Sequence, residues 1–306
     1  SGMMPVASVR RPLTSSSSSL PRWSAAAVSV PSDGDPTPTV ATDQSPLPAP
    51  WPALKMGSKV INLYSVLFLV INLGALALAY PLLAVAAATS AVFDRVKRRP
   101  IDAVVQLWAR VCLIVFFWSV PKLVNAEKLP PRGQAALYAP NHCSFLDIFA
   151  LSAAVPRPLK YVSKAEILRI PFIGWAMQLA GHIALRRGSR KSQLQTFREA
   201  VDSLKAGNNL VTFPEGTRSP TGVLRSFKNG PFKMAASAGV PVVPVSVVRT
   251  GWAMPVAALL PIRPAWGVKV VIHDPIDPSE VPADEIVGRT RAAINSGLPT
   301  WMRSES

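Results

Sequence analysis

The feature that most constrains this chain is a stretch without charge. From Val60 to Phe93, 34 residues in a row carry no formally charged side chain. A membrane-crossing helix needs about 20 mostly apolar residues, so a run of this length is poorly suited to the core of a soluble domain. Pro81 is expected to divide it into a 21-residue piece, Val60–Tyr80, and a shorter one. Arg95, Lys97, Arg98 and Arg99 follow directly, and such a cluster would seat on anionic head groups. A second apolar run, Ala103–Val120, contains Gln106 and Arg110 and so suits the interface better than the hydrocarbon. The reading is of a membrane-attached helical segment, open as to one crossing, two crossings or a hairpin. The alternative is a buried core helix.

Charge then narrows the partners. The chain has 306 residues, 33 Lys+Arg against 17 Asp+Glu, and a net charge of +16. A large positive excess points to anionic material: membrane lipid, phosphorylated small molecules or nucleic acid. Nucleic acid falls away because no recognised binding module and no aromatic–basic interleaving is present. Residues 1–32 contain no acid, three arginines and ten serines, the composition of an organelle transit peptide. Residues 33–52 read as a disordered linker. Residues 1–55 are therefore set apart as a leader, 56–122 as membrane-attached helices, and 123–303 as the remaining domain. Two cysteines and three histidines support neither a disulfide framework nor a metal cluster. No metal and no cofactor is expected.

From about Asn125 short apolar runs alternate with helical periods. Strands are expected at Ala136–Tyr138, Leu159–Ser163, His182–Leu185, Leu210–Phe213, Val242–Val248 and Val268–His273. Helices are expected at about 145–155, 165–180, 190–207, 231–238 and 284–295. That alternation argues for an α/β fold, a mixed sheet flanked by helices, behind the N-terminal membrane-attached segment.

Two loops carry residues suited to chemistry. Asn141-His142-Cys143-Ser144-Phe145-Leu146-Asp147 follows the first of these strands, and Asn141 or Ser144 is placed to cap the next helix. His142 and Asp147 are five apart, about 140° around a regular helix. They meet only if His142 sits in the loop and Asp147 points back from the first turn. An Asp on one ring nitrogen fixes the tautomer and leaves the other nitrogen as a base. The alternative is a capping and packing pair. Cys143 beside the histidine is poorly placed as a nucleophile, because chain neighbours rarely aim side chains at each other.

The second loop is Phe213-Pro214-Glu215-Gly216-Thr217-Arg218-Ser219, at the end of a strand, where open α/β sheets gather ligands. Gly216 lets backbone approach a ligand, Arg218 suits a phosphate, Thr217 adds a hydroxyl, and Glu215 could orient Arg218 or a substrate hydroxyl. Residues 160–191 add seven basic groups against one acid. Most suit a solvated face; Lys164, Arg186 at a strand end, and Lys228 before a helix remain candidates for an anion site.

Together these residues resemble the glycerophospholipid acyltransferase family, in particular its 1-acylglycerol-3-phosphate acyltransferases. The resemblance rests on four motifs in order: Asn141 to Asp147, Lys164 to Trp175, Phe213 to Ser219, and the Val-Pro-x-x-Pro-Val run at Val240 to Val245. It covers about Asn125 to Asp274, and the leader adds a plastid-type member of a plastid (chloroplast) membrane. The resemblance implies acyl transfer from a thioester, on coenzyme A or acyl carrier protein, to the sn-2 hydroxyl of lysophosphatidic acid, without an acyl-enzyme. His142 and Asp147 would be catalytic. Glu215, Gly216, Thr217, Arg218, Lys164, Arg186 and Lys228 would bind substrate; the sequence does not identify the oxyanion donor, for which backbone amides near Gly174 or Gly216 are candidates. Competing expectations are another lysophospholipid or glycerol 3-phosphate as acceptor, or a non-catalytic protein that binds anionic lipid.

Overall fold

The computed structural model describes residues 52–57, 59–186, 189–282 and 285–304. The transit-peptide reading and nearly all of the linker therefore lie outside the described residues. In chain order the elements are β1 (Leu54–Met56), β2 (Lys59–Ile61), α1 (Leu63–Phe93), α2 (Arg99–Phe117), β3 (Lys122–Val124), β4 (Leu137–Pro140), α3 (Leu146–Ala154), β5 (Lys160–Lys164), α4 (Ile173–Leu179), β6 (Ile183–Leu185), α5 (Arg190–Lys205), β7 (Leu210–Val211), α6 (Gly230–Ala238), β8 (Val242–Val248), α7 (Thr250–Ala253), β9 (Lys269–Ile272) and α8 (Glu285–Gly297).

Seven strands form one mixed sheet in the order β3-β9-β8-β4-β7-β5-β6. All neighbours run parallel except β8 and β9, which are antiparallel. β4 and β8 are buried at every residue, as expected for central strands covered on both faces. Ala136 and Tyr138 face a core built with α2 and α3, while Leu137 and Ala139 face one built with α5, α6 and the start of α8. Each fully buried large side chain in such layers contributes about 1.5–3 kcal/mol. The consequence for function is geometric: β8, β4, β7, β5 and β6 point the same way, so the loops after all five gather on one edge.

The charge-free run folds as one helix. α1 begins at Leu63 because Asn62 and Ser65 make a reciprocal capping box, with Ser65 N–H donating to Asn62 Oδ1 at 3.0 Å and Asn62 N–H to Ser65 Oγ at 3.2 Å. The expected division at Pro81 does not occur: Pro81 lies inside the helix. The buried stripe Leu76, Ala79, Leu83, Ala86 continues on both sides of it, so packing along one face carries the helix through. At about 1.5 Å per residue α1 is about 46 Å long.

α1 is tied to the α/β domain at its start and near its middle. Asn62 Nδ2 donates to Ile262 O (2.7 Å) and Ser65 Oγ to Pro261 O (2.9 Å). Just past the middle of the helix the Tyr80 hydroxyl donates to Phe172 O at 2.5 Å. α2 lies between α1 and α3, with Arg110 Nε donating to Ala153 O at 3.0 Å. Under it, Lys160 Nζ sits 2.7 Å from both oxygens of Asp102, and both side chains are buried. The basic cluster at the turn is used differently from the expected head-group seat. Arg98 donates to Gln178 O and Leu179 O at the end of α4 (3.1 and 3.0 Å), Arg99 pairs with Asp94 (2.8 Å), and Lys97 lies against Gly207 beyond α5. Cations at helix carboxyl ends meet the negative end of the dipole and its unpaired carbonyls.

The helix expected over 165–180 is interrupted. A short 3-10 turn, Ile167–Arg169, precedes α4, and Ile170 is extended (φ −65°, ψ 125°) because the following Pro171 disfavours helical backbone there. The short strands β1, β2 and β3 and the single turn α7 were not anticipated; three or four residues carry too little periodicity to register.

Candidate active site

The site lies at the carboxyl edge of β4. Of the two residues expected as alternative caps of α3, Asn141 instead pins β4 to β8: its amide donates to Val247 O (3.0 Å) and accepts from Val247 N (2.7 Å). Ser144 Oγ donates to Met254 O (2.8 Å) and accepts from Leu146 N (3.1 Å). The loop is thereby fixed on both flanks, with His142 between them.

His142 and Asp147 do meet, by the geometry anticipated. Nδ1 of His142 lies 2.8 Å from Asp147 Oδ2. The same oxygen accepts the backbone N–H groups of Cys143 (2.9 Å) and Ser144 (3.0 Å), and Thr250 Oγ1 donates to Oδ1. Asp147 is fully buried and is thus a carboxylate saturated with donors, the condition under which a buried charge is tolerated. With the ring proton on Nδ1 facing Asp147, Nε2 carries the free lone pair. It has no hydrogen-bond partner among the described residues, and the side chain is 16% exposed. The ring stacks on Phe213, centroids 3.8 Å apart and planes at 22°, which holds its plane from the other loop.

The second loop clamps the first. Glu215 turns inward: Oε1 accepts His142 N–H at 2.7 Å and Oε2 accepts Arg225 N–H at 3.3 Å. It is not paired with Arg218, one of the two partners expected for it. Burial pushes its carboxyl up to about 7, against the downward pull of those two N–H donors. Ser219 N–H donates to His142 O (2.7 Å), so the His142 backbone is held at both its N–H and its carbonyl.

Gly216 adopts φ +72°, and a Cβ there would stand 2.9 Å from Lys228 Cε and 3.0 Å from its Nζ. Glycine thus allows the Lys228 ammonium to lie against the loop. Arg218 is part-exposed and makes no hydrogen bond or ion pair with another described residue. Thr217 is exposed and accepts from Arg225 Nη1 at 3.0 Å.

Lys164 is exposed at the carboxyl end of β5. Arg186 is exposed beyond β6 and reaches Gln195 on α5 (3.2 Å), not a cleft. Both share the edge of the sheet with His142, two and three strands away from β4. The amides expected as oxyanion donors are engaged: Gly216 N–H binds Phe213 O (2.9 Å) and Gly174 N–H binds Ile170 O (2.8 Å).

Other nucleophiles are committed elsewhere. Cys143 is buried with its sulfur 3.1 Å from Thr250 Oγ1, and burial, then the Asp147 charge, push its thiol well up. His182 and His273 are held neutral by burial, at about 3 and about 4. Among the described residues no group of three His, Cys, Asp or Glu side chains could hold a metal. A cavity of about 240 Å³ adjoins the loop, lined among others by Cys143, Ser219, Arg249, Trp252, Trp301 and Met302. Sequence reasoning missed Thr250, Phe213 as a stacking partner, and Arg225. Only Phe213 had a signal, its place at the head of the second loop.

A family model described as Acyltransferase matches residues 121–248. A 1-acyl-sn-glycerol-3-phosphate acyltransferase of Chlamydomonas reinhardtii is 38% identical over 207 residues, 68% of this chain and 61% of that protein. A chloroplastic 1-acyl-sn-glycerol-3-phosphate acyltransferase of Arabidopsis thaliana is 37% identical over 68% of this chain and 56% of its own length. A lyso-ornithine lipid O-acyltransferase of Pseudomonas aeruginosa is 39% identical over 45% of this chain and 50% of that protein. The chain thus spans roughly 60% of the length of the first two, 61% and 56%. The crystal structure of 1-acyl-sn-glycerophosphate acyltransferase from Thermotoga maritima shares the fold, with a TM-score of 0.61 at 23% identity over 76% of this chain and 96% of that one. Residues 121–248 of this chain thus carry the match to the acyltransferase family model.

Proposed function

We propose that the protein transfers a fatty acyl group from a thioester, on coenzyme A or acyl carrier protein, to the sn-2 hydroxyl of 1-acylglycerol 3-phosphate, giving phosphatidic acid. The observation that carries the reading is the isolated base: Nδ1 of His142 is held by buried Asp147, and among the described residues Nε2 has no hydrogen-bond partner and Cys143, its chain neighbour, is turned to Thr250. A base without a protein nucleophile needs a substrate that brings its own. The acceptor hydroxyl gives its proton to Nε2 as its oxygen attacks the thioester carbonyl. The tetrahedral intermediate then expels the thiolate, which takes the proton back from the imidazolium that Asp147 stabilises.

Arg218 and Lys228 hold the acceptor phosphate, with Gly216 and Thr217 giving backbone access and a hydroxyl. Lys164 and Arg186, farther along the same edge, add to the anionic donor's path. Glu215 serves the site by fixing His142. The cavity beside Cys143 offers apolar space for an acyl chain.

Membrane attachment follows from α1. It is bound to the α/β domain at its start and near its middle, which favours a helix lying along the domain over one crossing a bilayer. Its outward face exposes Leu67, Val70, Leu78, Leu82 and Val85, an apolar strip that sinks into one leaflet. Substrate and product partition into that leaflet. The relative named chloroplastic supports a plastid membrane location. The lyso-ornithine lipid relative supports a second reading, another lysolipid as acceptor. The test is acyl transfer by the purified protein in detergent across lysophosphatidate, glycerol 3-phosphate and other lysolipids, with both thioester donors. Turnover of lysophosphatidate that His142→Ala abolishes is expected; undiminished transfer by His142→Ala would overturn the mechanism.

A further inference from the structure

The histidine–aspartate pair has a third partner, and it comes from a different strand. Thr250 is the first residue of α7, directly after β8, and its hydroxyl is fully buried against the catalytic loop. Its single proton goes to Asp147 Oδ1, the oxygen that the loop's own N–H groups leave open. Asp147 Oδ2 therefore takes its bonds from the loop backbone and from His142, while Oδ1 takes a hydroxyl donor from Thr250 beyond β8 and only a long 3.8 Å contact from the Cys143 thiol.

That division has a physical consequence. A carboxylate held through one oxygen can swing about its Cβ–Cγ bond; one held through both cannot, and His142 inherits its ring orientation from it. The delivery of Thr250 is also specific. Arg249 before it sits at φ +73°, a left-handed conformation uncommon outside glycine, and the following Gly251 brings the turn against Cys143, whose Cβ and Sγ would lie 3.3 and 3.4 Å from an added Cβ. Strain of that kind is kept where surrounding contacts over-determine it. The Cys143 sulfur, 3.1 Å from Thr250 Oγ1, has its thiol proton available for that oxygen and completes a chain Cys143–Thr250–Asp147–His142.

We propose that Thr250 is a positioning residue of the acyl-transfer reaction: its hydroxyl fixes the Asp147 carboxylate and so sets the orientation and basicity of His142. This rests on the proposed acyltransferase function. Other titratable or charged groups facing the pair are Cys143 on the same loop and Glu215, with Arg225 beside it, from the loop after β7; Thr250 variants leave all of them in place.

The experiment compares Thr250→Val, Thr250→Cys and Thr250→Ser with wild type in full-length protein, reading kcat, KM and the pH profile of kcat with lysophosphatidate and acyl-CoA. Thr250→Val keeps the volume and removes the donor. It is expected to lower kcat roughly 10–100-fold, the factor carried by one hydrogen bond to a charged group, with KM nearly unchanged. Losing a donor makes the carboxylate more basic and the imidazolium more stable, so the acid limb of the profile moves to higher pH. Thr250→Ser restores both kcat and limb. Thr250→Cys, a weaker donor, falls between them and serves if the valine variant does not fold. Wild-type kcat and an unmoved acid limb in a folded Val or Cys variant would overturn the proposal. Absence of transfer by the wild-type protein would instead count against the function reading alone.

Discussion

The buried pair Asp102–Lys160 makes a quantitative test of how the helical hairpin is joined to the sheet. Asp102 lies in the first turn of α2 and Lys160 opens β5, with Nζ 2.7 Å from both carboxylate oxygens and side chains only 4% and 2% exposed. Lys160→Met leaves the Asp102 charge buried without its partner. Breaking a buried pair in this way costs about 3–5 kcal/mol. At roughly 2–4 °C per kcal/mol for 150–250 residues, Tm should fall by about 6–20 °C. Asp102→Leu should fall comparably. The double variant removes both charges and should recover most of the loss, because apolar replacement of a buried pair is often neutral or stabilising. The assay is thermal unfolding in one detergent at one protein concentration, read by circular dichroism for wild type, both single variants and the double. Single variants within a degree of wild type, or a double variant as unstable as the sum of the singles, would refute the reasoning.

Gly216→Ala places a Cβ 2.9 Å from Lys228 Cε at φ +72°; KM for lysophosphatidate should rise roughly tenfold or more through displaced Lys228, measured by initial rates. Arg218→Ala should raise the same KM while sparing the donor KM, since Arg218 makes no hydrogen bond or ion pair with another described residue. Glu215 gives a pH signature. Its carboxyl rises from 4.5 to about 7 on folding, so the folded state holds the proton more tightly. Its contribution to stability is present below pH 4.5 and is lost as pH rises through about 7. Glu215→Gln, neutral throughout, should flatten that part of the stability–pH curve in urea titrations; an unchanged slope would place the proton elsewhere. Removing residues 300–306 takes away Met302 O, which accepts Leu224 N–H at 2.9 Å, and should loosen the second loop, seen as faster amide exchange over residues 217–228.

Much of this architecture was legible because its signals are local. The alternation of strands and helices from β4 onward, and the five-residue spacing that lets His142 reach Asp147 only from loop to first turn, both follow from periodicity and backbone geometry. What escaped depends on contacts between distant parts. Pro81 reads as a breaker, yet a packed stripe on both sides of it keeps α1 intact. Arg98 and Lys97 read as head-group ligands, yet they meet the carboxyl ends of α4 and the segment after α5. Asn141 reads as a helix cap, yet its amide finds Val247 on β8, 106 residues away. Glu215 reads as a substrate ligand, yet its carboxylate holds the His142 N–H. Thr250 had no local signal at all, because its role exists only once β8 lies beside β4. Pro171 was the one local warning passed over: it breaks the helix expected through it.

The central claim is that His142, oriented by Asp147, activates a lysophosphatidate hydroxyl against a thioester. The most direct measurement is a competition in which equal lysophosphatidate and glycerol 3-phosphate are offered with labelled thioester to wild-type and Asp147→Ala protein, with products resolved by mass spectrometry. The account predicts label in the sn-2 position of phosphatidic acid, with little lysophosphatidate formed from glycerol 3-phosphate, and loss of the label in the variant. Preferential labelling of glycerol 3-phosphate, or equal phosphatidic acid from the variant, would contradict it.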